Sequence, residues 1–243
     1  MSAQTAGSRV TETGIGAING AALDHLVIAA RSLDAGVAWC EATLGVTPDA
    51  GGRHALMSTH NRVFSIATAA FARAYCELIA IDAQAPPPGR ARWFDLDDPG
   101  LQATLERGPQ LIAWVARVSH LDVALRALAA HGVDAGRVLQ AARMTPQGEL
   151  RWRIAVRDDG ARLLGGALPT LIEWGARHPG DALRASGATL ASITLRAPDE
   201  STAHRALRTL GCAHAARAAD LRAPALRIEL DTPHGRVQLA SPE

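Results

Sequence analysis

Lysine is absent from this chain of 243 residues: every one of its 25 basic residues is arginine. That removes a Schiff-base lysine and a P-loop lysine from the available chemistry, and otherwise reads as the coding bias of a GC-rich, bacterial-type genome. Cysteine is scarce too. Cys40, Cys76 and Cys212 are odd in number and unevenly spaced, which argues against a disulfide framework or a zinc ribbon and fits a reducing, cytoplasmic setting. No Gly-x-Ser-x-Gly elbow and no Gly-x-Gly-x-x-Gly fingerprint occurs, so neither a hydrolase nucleophile nor a dinucleotide cofactor is expected. No apolar run reaches membrane-spanning length, and the N-terminus lacks a basic flank followed by a hydrophobic stretch, so neither a span nor a secretory signal is predicted.

A surplus of either charge is also missing. The 25 basic residues face 24 acidic ones, for a net charge of +1. They are spread along the chain rather than gathered in blocks, which leaves no electrostatic footprint for nucleic acid or a membrane surface. The expected partner is a small molecule.

What the sequence does contain is 48% hydrophobic residues, enough to bury a full core. Residues 1–21, rich in Gly, Ala, Thr and Ser, predict a loosely attached arm. Residues 23–30 then read as a strand. Ser32 can cap the helix that follows, whose Leu33, Val37, Cys40 and Leu44 share a face and which Gly45 ends. Residues 49–53 are turn-rich, and 54–58, 62–68 and 74–82 read as three further strands, giving the order β-α-β-β-β. After Pro86-Pro87-Pro88-Gly89 and a short helix near residues 101–107, the order begins again with a strand at 111–117, a helix at 121–131 and strands at 138–142, 150–156 and 168–175. A third, shorter pass places strands at 189–196, 223–230 and 236–240 around a helix at 200–210. Repetition of one supersecondary unit is predicted, with boundaries at 22–83, 110–178 and 188–243 and a connecting segment at 84–109. The third unit lacks a mate, so its apolar face should pack on the other two or on a second subunit, a homodimer being the second expectation.

Several phrases together resemble one family. They are Leu23-Asp24-His25-Leu26-Val27-Ile28-Ala29 with its Leu33-Asp34 helix start, Gly51-Gly52-Arg53-His54 running into Thr59-His60-Asn61, and Tyr75-Cys76-Glu77-Leu78. Arg143 leading to Gly148 and Arg151-Trp152, and Leu168 to Trp174, complete the set. The chain resembles the vicinal-oxygen-chelate superfamily, and within it the glyoxalase-like domain proteins. The resemblance implies an α+β fold in which βαβββ modules form curved mixed sheets around a cup, with helices on the outer face. It also implies a divalent metal (Fe, Mn, Zn or Ni) held by strand residues, here His25, Glu77 and Glu173. The helix starts Leu33 and Leu121 align, which leaves Ala113 where a fourth ligand would stand. Strand alternation predicts that His25, Tyr75, Glu77 and Glu173 share the concave face.

One imidazole and two carboxylates suit a metal with open positions for a ligand bearing neighbouring oxygens, and Glu77 or Glu173 would double as the catalytic proton carrier. His54, His60, Asn61 and Tyr75 are expected to line the ligand pocket, with Arg151 gripping a ligand carboxylate. Trp114, Trp152 and Trp174 are assigned to helix-on-sheet packing. Two readings stand side by side: a metal-dependent lyase, isomerase or dioxygenase acting on a small oxygen-rich metabolite, and a metal-free protein of the same fold that binds or sequesters one.

Overall fold

The computed structural model describes residues 20–217 and 222–242; most of the predicted N-terminal arm lies outside them. Its first strand, β1 (Ala22–Ala29), leads into helix α1 (Leu33–Leu44). Ser32 accepts a hydrogen bond from the Ala35 N–H, and Gly45 closes the helix in the left-handed region at φ 68°, the start and stop expected from sequence. Strands β2 (Asp49–His54), β3 (Thr59–Ser65) and β4 (Tyr75–Ile81) follow, then helix α2 (Pro99–Leu105). The second series is β5 (Gln110–Arg117), α3 (Leu121–Ala129), β6 (Arg137–Thr145), β7 (Gly148–Val156) and β8 (Thr170–Trp174). The third is β9 (Thr189–Arg196), α4 (Thr202–Thr209), β10 (Ala216–Arg217), β11 (Leu226–Thr232) and β12 (Gly235–Ala240).

Eight strands form one sheet in the order β2-β3-β4-β1-β5-β8-β7-β6. Within each half the first and last strands pair in parallel, β1 with β4 and β5 with β8, and the halves join where β1 and β5 run antiparallel. The sheet curls until the Arg143 side chain of one end strand, β6, reaches the backbone of the other, β2: a Cβ added to Gly52 would lie 1.7 Å from its guanidinium. This is the α+β cup expected from sequence.

One segment differs. Residues 49–53 form a strand rather than a turn, and residues 55–58 make the turn instead. The two glycines that suggested a turn serve close approach: a Cβ on Gly51 would sit 2.1 Å from the Asn61 side-chain oxygen, so only glycine lets β2 press against that amide.

The two faces of the sheet bury separate cores. Leu26, Ile28, Cys76, Leu78, Trp114 and Leu171 pack outward against Cys40 and Leu44 of α1 and Leu121, Ala124 and Leu128 of α3. Val27, Ala29, Ile79, Val115, Trp152, Ile154 and Ile172 face the concave side, closed from below by Trp93, Phe94 and Leu96. Phe94 and Asp95 both adopt positive φ, at 62° and 58°, a conformation that costs non-glycine residues free energy. The Arg162 pair to Asp95, at 2.6 Å, holds this plug in place.

The third series forms its own four-stranded sheet, ordered β10-β9-β11-β12. Its β9 pairs antiparallel with β11 and parallel with β10, an arrangement unlike the other two series. Leu190, Leu195, Leu226, Ile228 and Leu230 join the outer core of the eight-stranded sheet, so its apolar face is covered within the chain. Among the described residues no helix is long and apolar enough to cross a membrane.

Candidate functional site

The β1–β5 pairing slips between Leu23 and His25. A bulge of this kind re-aims a side chain, and here it frees Asp24 from strict alternation while His25 keeps the concave face with Val27 and Ala29. Asp24 is fully buried and accepts three hydrogen bonds: from His25 Nδ1 at 2.7 Å, His178 Nε2 at 2.8 Å and Trp174 Nε1 at 2.9 Å. The Gly180 N–H donates to His178 Nδ1 at 3.0 Å. That nitrogen therefore carries no proton, and His178 presents Nε2–H to Asp24. Burial alone would raise the Asp24 pKa; hydrogen bonds from His178 and His25, with the charge of His25, overcome it and hold the carboxyl below its usual range.

Beyond His25 the network continues to Glu77 on β4. His25 Nε2 lies 3.4 Å from Glu77 Oε2, and Asn61 Nδ2 donates to Glu77 Oε1 at 2.5 Å. The Gly52 N–H donates to Asn61 Oδ1 at 2.7 Å, which fixes which way that amide points. His54 Nε2 stands 3.4 Å from the same Asn61 Nδ2 and 3.7 Å from Glu77 Oε1, while its Nδ1 is 3.0 Å from the Thr59 hydroxyl. Because Asn61 presents N–H toward His54 Nε2, that nitrogen holds a lone pair, and the ring proton sits on Nδ1, facing Thr59.

The two imidazoles are driven in opposite directions. Burial lowers the His54 pKa to about 4, with the nearby charges of Arg143 and His25 acting in the same sense and Glu77 opposing them. Burial would also lower that of His25, but hydrogen bonds to Asp24 and Glu77 outweigh it and raise the value to about 9. At Glu77 burial acts upward and His25 downward, and with the His54 and Asn61 contacts the balance falls at about 2. Near neutral pH the hollow thus holds an imidazolium between two carboxylates and a neutral imidazole beside them. Such separation of pKa values within one site is the pattern of acid and base assignments.

Tyr75 stacks on His25 with ring centroids 4.7 Å apart, and burial pushes its phenol well above the usual range, so it stays protonated. Trp93 meets His54 edge-on at 5.0 Å. The inner hollow retains about 40 Å3, room for a few waters or the reacting end of a small ligand. Val63, Arg143 and Pro179 lead from it into an outer vestibule of about 420 Å3.

His25, His54, Asn61, Tyr75 and Glu77 therefore meet on one hollow. Three expected residues do not. Glu173 lies with Leu171 on the helix side of β8, because Ile172 and Trp174 take the concave positions. Its Oε2 accepts from the Leu121 N–H at 2.6 Å, and Arg153 holds it at 3.3 Å. It supplies the N-terminal cap of α3 that His120 does not provide. Glu173→Ala should cost about 1 kcal/mol in chemical denaturation, the usual worth of a cap, while ligand binding in the hollow is retained. His60 alternates with Asn61 on β3 and faces away. Arg151 is exposed on the outer face, paired with Glu149 at 2.7 Å. Trp152 and Trp174 line the hollow rather than the helix layer, where Trp114 does pack.

The expected metal ligand set does not assemble. With Leu33 and Leu121 aligned, the parallel pairs Val27–Glu77 and Val115–Thr170 correspond, so Thr170 and not Glu173 stands in the place of Glu77. The second half thus offers Ala113 and Thr170 where the first offers His25 and Glu77. Both His25 ring nitrogens already face carboxylates. Among the described residues no three His, Cys, Asp or Glu side chains are arranged to hold a metal ion.

Sequence reasoning missed Asp24, His178 and Trp174 as members of the network. An aspartate beside a histidine inside an otherwise apolar strand was the available signal for the first, since such a charge is buried only with partners. His178 and Trp174 reach it through tertiary contact alone.

The profile of the glyoxalase-like domain matches residues 23–211. No curated protein matches the chain. Among solved structures, a hypothetical protein from Staphylococcus aureus is 14% identical, with 92% of this chain and 87% of that one covered and a TM-score of 0.53, a likeness of fold. Methylmalonyl-CoA epimerase from Mycobacterium tuberculosis is 22% identical over 65% of this chain and 88% of that one, with a TM-score of 0.37. A Streptomyces coelicolor methylmalonyl-CoA epimerase variant in complex with 2-nitronate-propionyl-CoA is 19% identical over 65% of this chain and 98% of that one, with a TM-score of 0.41. With its profile match spanning most of its length and its paired-module cup, this chain belongs to the glyoxalase-like domain family of the vicinal-oxygen-chelate superfamily.

Proposed function

We propose that the protein binds a small oxygen-rich metabolite in the hollow and moves a proton on it, as a lyase or isomerase of the acid–base type. The observation that supports this reading is the pair of buried imidazoles, His25 and His54, set 3.4 and 3.7 Å from the two oxygens of Glu77, with a second carboxylate, Asp24, only on the His25 side. His54 Nε2 is the proton acceptor: its lone pair is turned to the Asn61 amide 3.4 Å away, a long contact that the ligand C–H takes over, and the Thr59 hydroxyl lies beside the other nitrogen. A proton leaving carbon next to a carbonyl passes to that nitrogen, and the electron pair left behind moves onto the carbonyl oxygen. As charge develops there, that oxygen takes the Nε2–H of the His25 imidazolium in place of Glu77, whose contact at 3.4 Å is longer than the 2.7 Å hydrogen bond by which Asp24 holds the other nitrogen. Trp93 and Tyr75 keep the site dry enough for these charges to count.

The residues of the hollow do not suit the metal that the family resemblance implied, since Ala113 and Thr170 stand where two of its ligands would be. The test is hydrogen–deuterium exchange followed by proton NMR. Small 2-oxo and 2-hydroxy acids and hydroxyacetone, which carry an acidic C–H, are incubated with the protein in D2O. Catalysed loss of a C–H signal that persists in EDTA is expected. Exchange abolished by EDTA and restored by Mn2+ or Zn2+ would return the metal reading. Tight binding without exchange would favour a sequestering protein, the second reading, which the mutual pairing of Asp24, His25 and Glu77 also supports.

A further inference from the structure

Arg143 stands apart from the arginines of the neighbouring strand. On β7 and just beyond it, Arg151, Arg153 and Arg157 pair with Glu149, Asp122 and Asp159. The side chain of Arg143, on β6, forms neither an ion pair nor a hydrogen bond among the described residues, and its Nη1 is buried without a partner. Its guanidinium bridges the two ends of the curled sheet by lying against the bare backbone of Gly52, where any side chain would collide with it. From there it lines both the inner hollow and the vestibule.

A guanidinium does not lose its proton to relieve such a position, and a buried charged donor left unpaired is unfavourable. The acids of the hollow are committed elsewhere: Asp24 to His25, His178 and Trp174, and Glu77 to His25 and Asn61. We propose that Arg143 is the anion-recognition residue of this site, and that the ligand is a small carboxylate whose carboxyl group sits on its guanidinium. The planar fork of an arginine matches a carboxylate with two parallel hydrogen bonds. A ligand held there at the boundary of the vestibule turns the rest of its carbon chain, with any C–H next to a carbonyl, inward toward His54 and His25. This deepens the proton-transfer reading and rests on it for the orientation of the ligand, but not for the anion contact.

The test uses the full chain, titrated calorimetrically with pyruvate, glyoxylate, lactate and inorganic phosphate, and with neutral hydroxyacetone as the uncharged probe. At least one of the carboxylates should bind more tightly than hydroxyacetone. Arg143→Ala should weaken that carboxylate about 10- to 100-fold and leave hydroxyacetone unchanged. Gly52→Ala keeps the arginine but displaces it, and should weaken the same ligand, which guards against an Arg143→Ala chain that folds poorly. Phosphate binding as tightly as the carboxylate, with the same dependence on Arg143, would overturn the carboxylate class. Equal affinity of wild type and both variants for every anion, or no binding by any anion at millimolar concentration, would overturn the anion site. Proton exchange into hydroxyacetone that survives in Arg143→Ala would leave the proton-transfer reading standing even then; binding without exchange would do the reverse.

Discussion

Replacing His54 by Gln should reduce catalysed deuterium exchange by about 10²- to 10⁴-fold, the range supplied by one positioned general base. Glutamine keeps comparable length and polarity but offers no basic nitrogen. The loss should therefore fall on the exchange rate with little change in ligand affinity, which separates lost chemistry from lost binding. His54 stays unprotonated at neutral pH because burial, with Arg143 and His25 nearby, pushes its pKa down to about 4. A lone pair is thus present throughout the physiological range. Undiminished exchange in His54→Gln would remove this residue from the chemistry.

Asp24→Ala should destabilise the fold by about 3–5 kcal/mol, the cost of breaking a buried charged network by deleting one partner. The carboxylate is fully buried, and its loss strands three donors at once: His25 Nδ1–H, His178 Nε2–H and Trp174 Nε1–H. The effect should depend on pH in a way that follows from linkage. The His25 pKa is raised from 6.5 to about 9, so between those values the folded chain holds a proton that the unfolded chain has lost. Its contribution is complete below 6.5 and disappears as pH rises through 9. His54 behaves oppositely: its folded value of about 4 lies below 6.5, so its contribution is lost as pH falls from 6.5 through 4. Glu77, depressed from 4.5 to about 2, adds a further loss below 4.5. Wild-type stability, followed by denaturant titration, should therefore form a dome with its top near pH 6.5. Asp24→Ala should flatten the alkaline limb, because His25 then loses the acceptor that most strongly favours its cation. An unchanged alkaline limb in this variant would contradict the assignment.

Much of the architecture could be read from local signals. The Ser32 cap, the Gly45 stop and the apolar face of α1 are set by near neighbours, and the repeated βαβββ order follows from alternation and turn chemistry. Strand parity also brought His25, Tyr75 and Glu77 to one face correctly, because β1 beyond its bulge and β4 are regular. It failed at Glu173. The sequence Leu171-Ile172-Glu173-Trp174 is apolar around its acid, so hydrophobicity does not say which alternate set faces the cup; only pairing with β5 settles that. Likewise, Gly51 and Gly52 carry the signature of a turn, and their role as a surface for Asn61 and Arg143 depends on strands far along the chain. The members of the site that sequence did not reveal, Asp24 and His178, are 154 residues apart, beyond the reach of any local pattern.

The proposed proton transfer depends on the protonation of two rings. Nitrogen-15 NMR of histidine-labelled protein at pH 7, with His25→Gln and His54→Gln to assign the signals, reads this directly. The expected spectrum has His25 with both ring nitrogens protonated and titrating only near pH 9, and His54 neutral with its proton on Nδ1 down to about pH 4. A neutral His25 at pH 7, or both rings titrating together near 6.5, would contradict it.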